Sequence, residues 1–131
     1  MASENQTASM FAGNRHILRW NNILDEDGTS TLDLTGLIVK FALARKGDSG
    51  PVVSGPILDF RSDVSAQVTI PNPIVGSAHV EVELLPVDTE TLAPGATTIY
   101  YFELEVYQAA DNNPVVVATG DLTIKPNVEN V

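Results

Sequence analysis

The sequence contains no cysteine among its 131 residues. Disulfide bonds, thiolate metal ligands and a cysteine nucleophile are therefore excluded. The chain also lacks an apolar run near the ~18–20 residues that span a bilayer. Its first residues have neither the basic nor the apolar segment of a signal peptide. We therefore expect cytoplasmic synthesis, no contact with a membrane, and stability that comes from an apolar core.

Basic residues are scarce. Seven Lys and Arg face 17 Asp and Glu, for a net charge of −10, and Lys125 is the only basic residue of segment 62–131. A surface of this sign repels phosphate backbones, so we expect no nucleic-acid partner. The acidic surface either keeps the protein soluble or docks a basic partner.

The most regular pattern lies in residues 97–108, which read TTIYYFELEVYQ. Apolar and polar positions alternate with a period of two, which is typical of a half-buried antiparallel strand. The pattern predicts an inward set and an outward set. The inward set is Tyr100, Phe102, Leu104 and Val106, and the outward set is Tyr101, Glu103, Glu105 and Tyr107.

Similar short segments, separated by Gly, Pro and Asn turns, predict strands in 15–24, 37–45, 57–60, 66–70, 79–85 and 114–124. In the last of these we expect Val116, Ala118, Leu122 and Ile124 to face inward, with an irregularity at Gly120. Residues 86–95 supply the one short helical turn. The result is an all-β fold, a small antiparallel immunoglobulin-like β-sandwich of seven or eight short strands. We expect a flexible N-terminal arm in 1–14, the sandwich in 15–126 and a C-terminal tail in 127–131.

Motifs that suggest catalysis are incomplete. Residues 47–51 read GDSGP, as around the nucleophile of chymotrypsin-like proteases, but His16 is the only upstream histidine and the chain is too short for two barrels. Residues 25–28 lack the ligand spacing of a calcium loop. The paired glutamates of 81–83 and 103–105 are explained as the wet faces of strands. We therefore predict no catalytic residue, metal ligand or cofactor, and not an enzyme.

The order of local motifs resembles a known family. DEDG ends the first strand, followed by LDLTGLIVKFAL (32–43), VEVELLPVDTETLAPG (80–95), YYFELEVY (100–107) and ATGDLTI (118–124). Together they resemble the small immunoglobulin-like domains of tailed bacteriophages, similar to the N-terminal domain of baseplate upper proteins. The resemblance implies a virion structural protein, present in several copies among other virion proteins. Baseplate proteins continue into coiled-coil or fibre segments, which are not part of this resemblance. The position in the virion therefore stays open among head decoration, head–tail joining and a tail accessory role.

Two groups of residues are the predicted contacts. Met10 and Phe11 are the only apolar anchors of the N-terminal arm, and an arm that orders on binding needs such anchors. The outward set of residues 97–108 is too aromatic for a purely solvated surface. An alternative function is a carbohydrate- or cell-surface-binding module that uses Tyr101 and Tyr107 as exposed stacking platforms.

Overall fold

The computed structural model describes residues 3–21, 33–47, 50–51, 56–73, 79–108 and 114–126. Within these ranges the chain forms nine strands and one helix of a single turn. They are β1 (Ser3–Phe11), β2 (His16–Asn21), β3 (Ile38–Gly47), β4 (Gly50–Pro51), β5 (Leu58–Arg61), β6 (Val68–Asn72), β7 (His79–Leu84), α1 (Pro86–Thr89), β8 (Thr98–Tyr107) and β9 (Val115–Lys125). No helix in the described part is long and apolar enough to cross a membrane.

The strands divide into two sheets. The large sheet has the order β1-β9-β8-β3, with β4 and β5 both on the far edge of β3; the small sheet has the order β2-β7-β6. Immunoglobulin domains have their second, fourth and fifth core strands in one sheet and their third, sixth and seventh in the other. Here β2, β6 and β7 form the first of these sheets, and β3, β8 and β9 form the centre of the second. The predicted all-β, immunoglobulin-like sandwich is confirmed.

Strand β8 lies in the middle of the large sheet and pairs antiparallel with both β3 and β9. Its period-two pattern is confirmed, because the four residues of the predicted inward set are at most 7% exposed. The buried sides of β3 and β7 alternate in the same way. They consist of Val39, Phe41, Leu43, Val80, Val82 and Leu84, all fully buried.

An aromatic cluster joins the two sheets. The ring of Trp20 on β2 lies 5.8 Å from the ring of Phe102 on β8 and 6.1 Å from that of Phe41 on β3. Tilted and edge-on contacts at such distances stabilise a core beyond the area that they bury. Strands β2 and β8 hold the positions that an inter-sheet disulfide connects in antibody domains. In a chain without cysteine, the Trp20–Phe102 contact makes this connection.

A tyrosine fixes the connection between the small and the large sheet. The hydroxyl of Tyr100, near the start of β8, donates a hydrogen bond of 2.5 Å to the backbone carbonyl of Leu92. Tyr100 precedes Phe102 by two residues, which is the spacing of the tyrosine corner in immunoglobulin folds. Upstream, the Asp88 carboxylate accepts hydrogen bonds from the Leu85 backbone N–H (2.8 Å) and the Gln67 side chain (2.7 Å). The connection is therefore held at both ends.

The prediction of an unstructured arm in 1–14 was wrong. Ser3–Phe11 forms β1, which pairs in parallel with β9 along the edge of the large sheet. Small polar residues hid this strand because an edge strand needs few apolar side chains. Its apolar contribution comes from Met10 and Ala12, which are 5% and 3% exposed and belong to the core.

Strand β9 contains an irregularity, but not at the residue where we predicted one. Glu105 pairs with Val116 and Leu104 pairs with Ala118, so Val117 is an extra residue, a β-bulge. Val117 is 1% exposed and takes the inward position that we predicted for Val116. No irregularity occurs at Gly120, which pairs with Phe102 in regular register.

Other predictions fall outside the described residues. These are the turn in 25–28, the tip of the β3–β4 hairpin at 48–49 and the tail in 127–131.

Candidate docking face

The candidate functional site is the outer face of the large sheet, which we call the docking face. Its side chains alternate with the buried ones, so the strand register identifies them. On β8 they are Ile99, Tyr101, Glu103, Glu105 and Tyr107. On the neighbouring strands they are Thr7, Ser9, Phe11, Lys40, Ala42, Ala44, Lys46, Ile57, Asp59, Arg61, Val116, Thr119, Asp121, Thr123 and Lys125.

Three of the predicted contact residues lie on this face as expected. Tyr101, Glu103 and Glu105 are partly exposed, and the Tyr101 hydroxyl donates a hydrogen bond of 3.1 Å to a Glu103 carboxylate oxygen. Tyr107 also points outward, but it is only 8% exposed because the guanidinium of Arg61 lies over its ring at 5.9 Å. The expectation that Tyr107 is an exposed aromatic platform was wrong.

The structure separates the two predicted anchors of the arm. Met10 is buried against the core of its own domain, so its side chain is not available to another chain. Phe11 is 48% exposed, lies on the docking face and is covered in part by the ammonium of Lys125, 5.6 Å from the ring centre. The Met10 hypothesis is therefore corrected, while Phe11 joins the residues of the docking face.

Two apolar residues of the docking face escaped the sequence analysis. Ile99 and Ile57 are 48% and 38% exposed. Together with Phe11 they are three of the five large hydrophobic residues that the described part of the chain exposes. Ile99 precedes Tyr101 in the same alternation, so extending the outward set by one step toward the N-terminus would have found it.

One end of the docking face is basic. Lys46 and Lys125 lie near Ile99 and Phe11, at the end of the sheet where β8 begins, and we call this region the basic end. Arg45 pairs with Tyr100, so it has the phase of the buried residues and does not belong to this face. A groove at this end of the sheet, lined in part by Arg45, Lys46, Ile57 and Ile99, has a volume of about 480 Å³. Lys46 contacts the Asp121 carboxylate at 2.6 Å, whereas Lys125 has no carboxylate within 4.0 Å among the described residues.

The opposite end of the docking face is acidic. Asp59 on β5 and Glu103 on β8 both pair with Ala42 of β3, and Glu105 lies one step further along β8; we call this region the acidic end. Lys40 pairs with Glu105 on one side and with Arg61 on the other. Lys40 contacts Asp59 at 3.5 Å, but no Lys or Arg nitrogen of the described chain lies within 4.0 Å of Glu103 or Glu105. Partial burial, followed by the hydrogen bond with Glu103, raises the pKa of the Glu105 carboxyl above its ordinary value.

The outer face of the small sheet is organised differently. Arg19 on β2 contacts Glu81 on β7 at 3.1 Å, and Arg15 forms an ion pair with Glu83. His79 adds a contact of 2.9 Å to Glu81. Hydrogen bonds from His79 and Arg19 lower the pKa of the Glu81 carboxyl. In the described residues no group of three or more His, Asp and Glu side chains is arranged to hold a metal ion.

Comparison with known proteins adds a likeness of fold. No protein-family model matches the sequence, and no curated protein matches it. Among solved structures, the chain is similar to the periplasmic chaperone SfaE, at 11% identity over 96% of this chain with a TM-score of 0.41. This chain covers 56% of that structure.

Two further structures show a similar likeness. The NK cell receptor Nkp44 matches at 16% identity over 95% of this chain and 100% of its own, with a TM-score of 0.42. The PapD-like domain 7 of human CEP192 matches at 17% identity over 94% and 82%, with a TM-score of 0.35. At these scores the likeness carries no conclusion about activity or partner.

Proposed function

We propose that this protein is a non-enzymatic structural component of a tailed-phage particle, which acts by docking to other virion proteins through the docking face. Head decoration, head–tail joining and a tail or baseplate accessory role all fit this function. The observation that carries the docking part is the concentration of exposed Phe11, Ile57 and Ile99 on one sheet face. Exposed apolar residues that gather on one face mark interaction sites more often than scattered ones do.

The assignment to a phage particle rests on the order of sequence motifs. The last four of those motifs overlap β3, β7, β8 and β9, which are three strands of the large sheet and the central strand of the small one. The motifs consist of strand and turn residues, so they support a shared architecture. The virion role is what we propose on the basis of that resemblance. A rigid sandwich suits such a role, because a preorganised surface loses little conformational entropy when it docks.

The carbohydrate-binding alternative has less support in the geometry. It needs two exposed aromatic rings, and Tyr107 is covered by Arg61. A single partly exposed tyrosine beside two carboxylates is a small platform for a sugar ring. If the alternative holds, the protein binds on a glycan array and Tyr101→Ala abolishes that binding.

Particle composition tests the proposed function. Mass spectrometry of purified particles, from the phage that encodes the chain, should detect it at a constant ratio to the major structural proteins. The Ile99→Asp variant, supplied during infection in place of the wild type, should fold normally and be depleted from the particles. Glu90→Lys, an exposed change away from the docking face, is the control and should incorporate fully. A wild-type chain that occurs only in the soluble lysate overturns the proposal.

A further inference from the structure

Strand β2 forms one edge of the small sheet, on a side of the molecule apart from the docking face. Immunoglobulin domains place their first core strand beside the second, which corresponds to β2. Here β1 pairs with β9 in the large sheet instead, and among the described strands β2 pairs only with β7. No described strand therefore covers the outer edge of β2.

The register shows which backbone groups lie along this edge. Neighbouring residues of an antiparallel strand direct their N–H and C=O groups to opposite sides. On β7, the N–H of Glu83 donates to the carbonyl of Gln67, the residue before β6, at 2.7 Å. Ile17 pairs with Glu83, so its own backbone groups point away from β7, and the same holds for Arg19 and Asn21. These three residues give the edge of β2 a regular row of donors and acceptors.

The other described sheet edges are blunted, whereas that of β2 is not. Strand β6 contains Pro71 and pairs irregularly with β7, β4 and β5 have only two and four residues, and the register of β1 is irregular between Ser3 and Gln6. Proline, irregular pairing and short length are devices that keep a sheet edge from pairing with another chain. Strand β2 pairs with β7 at every position from His16 to Asn21, without proline or a bulge. Its edge is therefore able to accept a further strand.

A groove of about 410 Å³ lies beside this edge, between β2 and β1. Its apolar lining consists of Ala8, Leu18, Trp20 and Phe102. Ala8 has the inward phase of Met10 on β1, and its small side chain leaves space between the two sheets. Alternate residues of a strand face the same side, so a strand beside β2 would direct every second side chain into this groove. The groove therefore selects a segment that is apolar at alternate positions.

The charges beside the edge select the remaining positions. Arg15 and Arg19 are on the solvent side, with side chains that are 61% and 55% exposed. Arg19 contacts Glu81 through its Nε, which leaves the outer nitrogens of the guanidinium facing solvent. Like charges directly opposite each other destabilise a sheet, and opposite charges stabilise it. An outward acidic residue therefore fits beside Arg19, and a basic one does not.

We propose that the edge of β2 binds an extended segment of another protein, which adds a strand to the small sheet. Its apolar side chains enter the groove at Trp20 and Ala8, and an acidic side chain lies opposite Arg19. In this mode of recognition the backbone hydrogen bonds supply affinity, and the alternate side chains supply specificity. The inference goes beyond the proposed function, because it concerns a surface that the docking face does not include.

Peptide titration of the isotope-labelled chain, followed by NMR, tests the proposal. The probe is a synthetic peptide of about eight residues, a usual strand length, in which valine alternates with threonine and one central threonine is replaced by aspartate. It should bind with a dissociation constant between about 10 µM and about 1 mM and shift the amide resonances of β2 and Ala8. A scrambled peptide of the same composition, and one N-methylated at alternate backbone nitrogens, should not bind. Lysine in place of the aspartate should weaken binding.

Matched variants separate the edge from the groove. Ile17→Pro removes an N–H that points away from β7, so the sheet keeps its own hydrogen bonds. It should raise the dissociation constant at least about tenfold, because a carbonyl of the peptide loses its donor. Ile17→Thr keeps the N–H and the branched shape, and should bind like the wild type. Ala8→Leu should fill the groove and weaken binding without changing the edge. Circular dichroism should show that each variant is folded.

Three results would overturn the inference. The first is equal binding by the wild type and Ile17→Pro, or equal binding of the alternating and scrambled peptides. The second is no binding of the alternating peptide at about 1 mM, the weak limit of the expected range. The third is a shift of the β2 resonances with protein concentration in the absence of peptide, because that would place a second copy of this chain on the edge instead of another protein.

Discussion

The two outer faces of the sandwich use their charged residues in opposite ways. On the small sheet, Arg15 and Arg19 on one strand contact Glu83 and Glu81 on the next, so each carboxylate has a cation of its own domain beside it. On the large sheet, Glu103 and Glu105 are neighbours of each other on a single strand, and neither has a Lys or Arg nitrogen within 4.0 Å in the described part, although Lys40 pairs with Glu105 across the strands. The carboxylates of the small sheet are thus paired with cations of the same molecule, whereas Glu103 and Glu105 of the large sheet remain available to a partner.

The apolar residues show the same contrast. The large sheet exposes Phe11, Ile57 and Ile99, whereas β2, β7 and β6 expose no large hydrophobic residue among those described. The outer face of the small sheet is thus polar and exposed to solvent, whereas the outer face of the large sheet offers apolar residues for contact. Four changes, from the largest expected effect to the smallest, can break or sharpen this contrast.

Deleting residues 1–11 should have the largest effect, because it removes β1 from the large sheet only. Truncating the buried Met10 alone should cost ~2–5 kcal/mol, and the deletion also exposes the edge of β9. We expect the truncated chain to be largely unfolded or aggregated, as measured by chemical denaturation and light scattering. Met10→Leu, which conserves volume, should stay within about 1.5 kcal/mol of the wild type. A truncated domain with wild-type stability would restore the view of this segment as a dispensable arm.

Phe102→Ala should come next, because it separates the two sheets at their shared aromatic cluster. Removing a fully buried phenylalanine costs about 3–5 kcal/mol. Chemical denaturation should show this loss with both faces affected together, since Trp20 then lacks its contact on β8. Phe60→Ala is the comparison, because Phe60 is only partly buried at the edge of the cluster and should cost less. Equal losses would mean that the link between the sheets does not run through Phe102.

How far the sequence predicts these features depends on the kind of feature. Strands buried on one face, such as β7 and β8, are predictable because their inward residues are apolar and alternate strictly. Strand β1 is not, because it gains its place from backbone pairing with β9, to which side-chain polarity gives no signal. The bulge at Val117 is also hidden, since Val116 and Val117 are equally apolar and only the register decides which one faces inward.

The candidate site divides along the same line. Tyr101, Glu103 and Glu105 follow from the alternation of a single strand, so they could be predicted. The pairing of charges could not, because it depends on which strands are neighbours: Lys46 and Asp121 meet only when β3 and β9 are in place beside β8. Likewise the covering of Tyr107 by Arg61 is a tertiary contact between distant segments.

Tyr100→Phe should have a moderate effect and tests the connection between the sheets. It removes the hydrogen bond to the Leu92 carbonyl, a loss of about 0.5–1.5 kcal/mol. Tyr101→Phe is a matched control, because the neighbouring hydroxyl lies on the docking face and donates a hydrogen bond to a partly exposed carboxylate. Thermal unfolding should show a lower Tm for Tyr100→Phe and almost none of that loss for Tyr101→Phe. The reverse order would place the structural tyrosine on the outer face.

The smallest effect is the dependence of stability on pH, and its sign should differ between the two faces. The pKa of Glu81 is lowered, so its contribution to stability is present above the ordinary pKa of 4.5 and is lost as the pH falls through the lowered value. The pKa of Glu105 is raised, so its contribution is complete below 4.5 and is lost as the pH rises through the raised value.

Glu81→Gln and Glu105→Gln isolate these two contributions. Relative to the wild type, Glu81→Gln should lose stability at neutral pH and regain parity in acid, because the charged carboxylate is what Arg19 and His79 stabilise. Glu105→Gln should gain stability at neutral pH and show no gain in acid, where the wild-type carboxyl is already protonated. Tm measured from about pH 3.5 to about pH 8 separates the two curves. If both variants shift the curve in the same direction, the carboxylates of the two faces are in equivalent surroundings. The contrast between paired carboxylates on the small sheet and unpaired carboxylates on the large sheet then fails.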